Sequence, residues 1–182
     1  VEDCAAAYRE LVEQGEAPES ITVVGDSAGG AMSVTTAVSA RKHGVPVPAC
    51  VVCFSPGGNA LRSGGSLDSR RDKDPFFTEE ALKASGERYL QGADPHEELA
   101  SPISRADLTG FPPLLVQVGG DEILLDDSVL LAERAREADV DVVLDVTAGV
   151  PHVFQAFVDQ LDEAGQALDR AALFVMQHVS RG

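Results

Sequence analysis

Ile21-Thr22-Val23-Val24-Gly25-Asp26-Ser27-Ala28-Gly29-Gly30 is the stretch on which the fold turns. Its first four residues are apolar or β-branched and favour a strand. The residues after it, Ala31-Met32-Ser33-Val34-Thr35-Thr36-Ala37, are small and suit a helix. The sequence therefore predicts a strand, a tight Gly-x-Ser-x-Gly turn and a helix. A turn that sharp needs residues without bulk beside Ser27, and Gly25 and Gly29 supply them and tolerate unusual φ and ψ. The turn lifts the Ser27 hydroxyl to a helix N-terminus, where backbone N–H groups and the helix dipole favour a developing negative charge. Ser27 is the candidate nucleophile.

Gly-x-Ser-x-Gly alone is a weak signal, and a glycine-rich strand–helix turn can instead hold a phosphate. The Gly-x-Gly-x-x-Gly of dinucleotide-binding turns is absent, and so is the Gly-Lys-Ser/Thr of a P-loop. The string Gly-Asp-Ser is also found in serine proteases of the chymotrypsin type, but those place their histidine and aspartate before the serine. No histidine precedes Ser27.

Partners for Ser27 follow it in the order Ser, acid, His. Leu114-Leu115-Val116-Gln117-Val118, introduced by Pro112-Pro113, reads as a buried strand ending in Gly119-Gly120-Asp121. Ligands and catalytic groups collect at the C-terminal ends of the strands in open α/β sheets. Asp121 is therefore the expected acid. Glu122, Asp126 and Asp127 compete, but they fall nearer the next helix and are assigned to favouring its N-terminus. Asp141-Val142-Val143-Leu144-Asp145-Val146 alternates as a strand and leads through Thr147-Ala148-Gly149-Val150-Pro151 to His152. Of the four histidines, only His152 follows both Ser27 and Asp121 and stands at a strand end. His43 lies near a helix C-terminus, which favours a cation. His96 is in a polar loop and His178 is near the chain end.

The remaining chain reads as alternating α and β units: helix 2–14, strand 21–24, helix to about His43, strand 49–54, helix 78–91, strand 114–118, helix 126–138, strand 141–146 and helix 153–179. Thr78 is the expected N-cap of its helix, with Glu79 and Glu80 in the first turn. Residues 57–75 are rich in Gly, Ser, Arg and Asp without periodicity and read as a mobile loop. This alternation implies one α/β domain with a mostly parallel sheet and helices on both faces.

Composition narrows the function classes. Thirty Asp and Glu against 14 Lys and Arg give a net charge of −16, which argues against nucleic acid as a partner. No stretch is long enough to span a membrane. Cys4, Cys50 and Cys53 read as buried free thiols in a reducing cytoplasm. Cys50-Val51-Val52-Cys53 sits in an apolar strand, where a redox C-x-x-C would open a helix. Three sulfurs make a poor zinc site, and no cofactor or metal is expected.

Taken together, these segments resemble the hormone-sensitive-lipase-like esterases, the bacterial family IV carboxylesterase branch of the α/β-hydrolases. The resemblance is carried by Gly25-Asp26-Ser27-Ala28-Gly29-Gly30, Phe54-Ser55-Pro56, Asp74-Pro75-Phe76-Phe77-Thr78, Ser101-Pro102-Ile103, Phe111-Pro112-Pro113-Leu114-Leu115, Gly120-Asp121-Glu122-Ile123-Leu124-Leu125-Asp126-Asp127-Ser128 and His152-Val153-Phe154. It implies a triad of Ser27, Asp121 and His152 and an acyl-enzyme on Ser27. It also implies an oxyanion donor at the Ala28 N–H, a small-molecule ester substrate of short acyl length, and a cap-contributing insertion at 57–98. Asp26, Val153 and Phe154, neighbours of the serine and histidine, are assigned to the substrate site. The alternative is a catalytically crippled fragment or a non-catalytic binding member of the same fold.

Two departures from that family bear on the expectation. No His-Gly-Gly-Gly precedes Ser27, and Ser55-Pro56-Gly57-Gly58-Asn59 lacks the bulky residue and aspartate usual after this Ser-Pro. The sequence thus reads as the C-terminal portion of an α/β-hydrolase fold. In that portion the strand at 21–24 becomes a sheet edge, and the expectation is self-association or a homodimer through that apolar edge.

Overall fold

The computed structural model describes residues 2–61 and 64–180. Arg62 and Ser63, within the loop expected at 57–75, lie outside them. Helix α1 (Glu2–Glu13) leads to strand β1 (Thr22–Asp26), which passes through the Ser27 turn into α2 (Ala28–Lys42). Then come β2 (Cys50–Phe54), a one-turn helix α3 (Ser66–Ser69), α4 (Glu79–Leu90), the short α5 (Pro102–Arg105), β3 (Leu114–Gly119) and α6 (Leu125–Glu137). The chain ends with β4 (Val142–Thr147), a 3-10 turn at Phe154–Phe157 and α7 (Asp162–His178).

The four strands form one parallel sheet in the order β1-β2-β3-β4. The inner strands are apolar runs, broken only by Gln117 in β3, because helices cover both their faces. Val34 and Val38 of α2 and Leu131 and Ala135 of α6 pack with Val51, Leu114 and Val116 on one face. Ala171 and Phe174 of α7 pack with Cys50, Val52 and Leu115 on the other. As expected from the sequence, β1 is an edge, and Val24 on it is 53% exposed.

Register sets the site. Asp26 pairs with Phe54, Phe54 with Gln117, and Gly119 with Thr147. The chain therefore leaves every strand at the same end of the sheet. Ser27, Ser55, the Gly120–Glu122 segment and the His152 loop are carried to that end together.

Three expectations need correction. Residues 153–179 are not one helix. Val153 takes a left-handed conformation (φ 50°), and Leu161 is extended, so the chain makes a 3-10 turn before α7 starts at Asp162. Cys4 is exposed on the outer side of α1, while Cys50 and Cys53 are buried as expected. The 57–75 segment contains α3 and is bonded to the start of α6. The Ser66 N–H donates to Asp126 Oδ2 at 2.9 Å, and Asn59 Nδ2 donates to Asp127 Oδ1 at 3.1 Å. Thr78 caps α4 as predicted, its Oγ1 accepting from the Ala81 N–H at 3.2 Å. Among the described residues, no helix is long and apolar enough to cross a membrane, and no His, Cys, Asp and Glu cluster could hold a metal ion.

Candidate active site

Ser27 sits at φ 52° and ψ −120°, a backbone conformation that residues other than glycine rarely adopt. The turn is held from both sides. The Ser27 N–H donates to the Phe54 carbonyl at 2.9 Å, and the Ser27 carbonyl accepts from the N–H groups of Gly30 and Gly57, each at 3.0 Å. A Cβ on Gly25 would lie 2.2 Å from the Gly29 carbonyl oxygen, so that glycine is required. Gly29 is a different case from the one its sequence position suggested. A Cβ there would meet nothing nearer than Asp26 Oδ1 at 3.9 Å. The second close approach is at Gly30, whose Cβ would fall 2.9 Å from Pro56 Cβ. Ala28 occupies the first position of α2, where an α-helix leaves an N–H without an intrahelical partner.

His152 is buried, and its partner is Glu122, not Asp121. Glu122 Oε2 lies 2.7 Å from His152 Nδ1. A carboxylate only accepts hydrogen bonds, so Nδ1 is the donor in this pair. Nε2 is buried without a hydrogen-bond partner. The bond expected between Ser27 and His152 is therefore not formed. Glu122 is itself fully buried. Its Oε1 accepts from the Gly119 N–H at 2.6 Å and from Ser55 Oγ at 2.8 Å.

Asp121 points elsewhere. Its Oδ1 lies 3.6 Å from Lys73 Nζ in a partly exposed ion pair. The cause is the turn after β3. One residue beyond Asp121 the chain has folded back, and the longer Glu122 side chain reaches under Gly119 to the histidine. From the sequence alone, Glu122 reads as a charge favouring the N-terminus of the next helix. The usable signal was its context: it opens the apolar run Ile123-Leu124-Leu125, whereas Asp121 follows two glycines.

The other histidines have local roles. His43 follows the last turn of α2, with Nδ1 2.8 Å from the Ser39 carbonyl. His96 accepts from Arg105 at 2.6 Å, and His178 lies 2.8 Å from the Phe174 carbonyl.

A cavity of about 290 Å³ opens beside Ser27. Met32, Phe77, Tyr89, Leu99 and Leu124 are among the residues that line it, and no described lining residue is charged. Asp26, Val153 and Phe154, expected in the substrate site, do not line this cavity. Asp26 is exposed at the end of β1. Phe154 is fully buried in a core cluster with Val150, Ala164 and Ala167. The hydrophobic effect sends it beneath α7, which is the ordinary fate of a phenylalanine. Val153 donates its N–H to Ser55 Oγ at 3.0 Å.

Comparison with known proteins agrees with this architecture. Residues 1–156 match the alpha/beta hydrolase fold family. The chain is 38% identical over 182 residues to an acetyl-hydrolase of Streptomyces hygroscopicus, spanning all of this chain and 60% of that protein. It is 35% identical over 168 residues to an esterase of Acinetobacter venetianus, spanning 92% of this chain and 55% of that one. A crystal structure of an esterase from the bacterial hormone-sensitive lipase family superposes with a TM-score of 0.95 at 43% identity, over 98% of this chain and 60% of its own. The chain thus spans little more than half the length of these relatives. With its parallel sheet, its serine turn and these similarities over its whole length, the chain belongs to the alpha/beta hydrolase fold family, in its hormone-sensitive-lipase branch.

Proposed function

We propose that this chain carries the nucleophile, base and acid of a serine carboxylesterase. Ser27 Oγ attacks an ester carbonyl, and His152 Nε2 takes its proton and later returns it to the leaving alcohol. Glu122, in the place expected for Asp121, holds the imidazole in the Nδ1–H tautomer and stabilises the imidazolium that forms. The Ala28 N–H donates to the oxyanion. Water then releases the acyl group from Ser27.

The observation that carries this reading is the buried His152–Glu122 pair with Nε2 left unpartnered. A buried imidazole nitrogen without a partner is costly in a purely structural role, and it is what a general base requires. The strained Ser27 turn supports the same reading. The neutral, apolar cavity lining suits an uncharged ester. The esterases and the acetyl-hydrolase among its relatives favour a short acyl group. Residues from the 57–98 insertion, Phe77 and Tyr89 among them, line that cavity, which supports a cap role for this segment.

p-Nitrophenyl acetate and butyrate test the proposal. Release of p-nitrophenol that is lost in Ser27→Ala and retained in His43→Ala is the expected result. A stoichiometric burst without turnover would leave the nucleophile in place and remove the claim of turnover by this chain. No reaction with Ser27, by ester or by a serine-directed organophosphate, would overturn the reading.

A further inference from the structure

We infer that Ser55 is a positioning residue whose hydroxyl holds the acid and the histidine loop in register with the serine turn. This rests on the reading of Glu122 and His152 as acid and base. Ser55 is fully buried and stands at φ 47°, a left-handed conformation that disfavours a residue with a Cβ. Its hydroxyl makes two bonds in opposite senses. It donates to Glu122 Oε1 at 2.8 Å and accepts from the Val153 N–H at 3.0 Å. One oxygen atom therefore joins the acid to the residue directly after His152.

The backbone around Ser55 completes the link. Phe54, before it, accepts the Ser27 N–H at 2.9 Å, and Gly57, two residues after it, donates to the Ser27 carbonyl at 3.0 Å. The Ser55 N–H donates to the Gln117 carbonyl of β3 at 2.7 Å. The exit turn of β2 thus touches all three candidate groups: Ser27 through backbone, Glu122 and the His152 loop through the Ser55 side chain. Glu122 has two donors on Oε1, so its plane is set before it meets the imidazole at Oε2. Without the hydroxyl, Oε1 keeps only the Gly119 N–H, and the Val153 N–H loses the Ser55 oxygen as acceptor. Left-handed geometry at Ser55 favours glycine, so backbone preference alone does not account for a serine here.

Two variants separate the hydroxyl from the backbone. Ser55→Ala removes the oxygen and keeps the Cβ. Ser55→Gly removes the oxygen and relaxes the φ 47° strain. In the full chain, proton NMR should show a low-field resonance from the His152 Nδ1 proton, identified by its absence in His152→Gln. Both Ser55 variants are expected to lose or broaden it while still melting cooperatively. Turnover of p-nitrophenyl butyrate is expected to fall about tenfold or more with KM little changed, as for loss of one buried hydrogen bond at a reacting centre.

The NMR signal needs no turnover. A wild-type chain that shows the resonance but hydrolyses no ester would sink the esterase reading and leave the Ser55 role intact if the variants lose the signal. Resonance and turnover unchanged in Ser55→Gly would overturn the role. So would failure of Ser55→Gly to fold, because the hydroxyl would then be a structural group.

Discussion

The Phe77 ring meets the His152 imidazole edge-on, with ring centroids 4.8 Å apart and an interplanar angle of 77°. Phe77 also lines the cavity beside Ser27. Its backbone is fixed by Asp74, whose Oδ1 accepts from the N–H groups of Phe76 and Phe77 at 2.8 and 3.0 Å. The other oxygen of Asp74 accepts from the Ile123 N–H at 2.9 Å, one residue after Glu122. One aspartate thus ties the segment at 74–77 to the residue after Glu122, and one ring ties it to His152. Aromatic pairs of this geometry contribute about 0.5–1.5 kcal/mol beyond area burial. Phe77→Ala is expected to raise KM for p-nitrophenyl butyrate and to lower kcat several-fold, with Phe77→Leu between it and the wild type. Steady-state kinetics on the three proteins checks this, and unchanged constants in Phe77→Ala would show that the contact is incidental.

The acid assignment is open to a direct comparison. Glu122→Gln keeps the shape of the side chain but places an amide against His152 Nδ1, which favours the wrong tautomer. The matching change in a serine protease triad lowers kcat by about 10⁴, and a loss of about 10²–10⁴ is expected here. Asp121→Asn removes only a partly exposed ion pair with Lys73, and such pairs are worth about 0–1 kcal/mol. Its turnover is expected to stay within about twofold of the wild type. A larger loss in Asp121→Asn than in Glu122→Gln would reverse the assignment.

The sequence revealed more of the fold than of the carboxylate that meets His152, for physical reasons. Val23 and Val24 before Gly25, and the apolar runs at 50–54 and 114–118, announce strands because covered parallel strands need no polar face. Ser27 and His152 stand out as candidates in the sequence because each follows a strand end. Choosing between Asp121 and Glu122 was not a matter of periodicity. Which of the two meets His152 depends on how the chain turns after Gly119, and that shows only in the tertiary contacts with Ser55 and His152. Phe154 was misplaced for a similar reason: being next to a site histidine says nothing about which side of the loop is core. The break in helix 153–179 was hidden because Val153 and Leu161 have no helix-breaking signature, and their backbone is set by packing.

The glycines of the serine turn differ in what they tolerate. Gly30→Ala would drive a Cβ to 2.9 Å from Pro56 Cβ and 3.0 Å from Pro56 Cα. Pro56 is rigid and follows the buried Ser55, so it cannot yield without moving the site. Overpacking of this kind costs about 1–3 kcal/mol. Gly29→Ala places a Cβ in ordinary contact, 3.9 Å from Asp26 Oδ1, in the first turn of α2. Replacing a helical glycine by alanine is worth up to about 1 kcal/mol. Denaturant melts should therefore show Gly30→Ala destabilised and Gly29→Ala unchanged or stabilised. A destabilised Gly29→Ala would show that the turn constrains that backbone in a way its contacts do not reveal.

Alkaline pH should weaken the fold through buried groups that must stay neutral. Burial pushes the Cys53 thiol from 9.0 to about 12 and the Tyr8 hydroxyl from 10.0 to about 12. Tyr8 Oη also donates to the Pro46 carbonyl at 2.8 Å, a bond that the phenolate cannot make. In both cases the folded state holds its proton to higher pH than the unfolded chain. The stability they contribute is fully present below about pH 9 and is lost as pH rises towards about 12. Urea melts at successive pH values above 8.5 are expected to show falling stability, with a shallower fall in Tyr8→Phe and in Cys53→Ala. Cys53→Ala also starts from a lower plateau, since Cys53 is fully buried and its removal leaves a void. Exposed Cys4 is expected to react with a thiol reagent in the native state, and Cys50 and Cys53 only after unfolding. Stability that stays flat to pH 11, or rapid native modification of more than one thiol, would show that these sites are open to water.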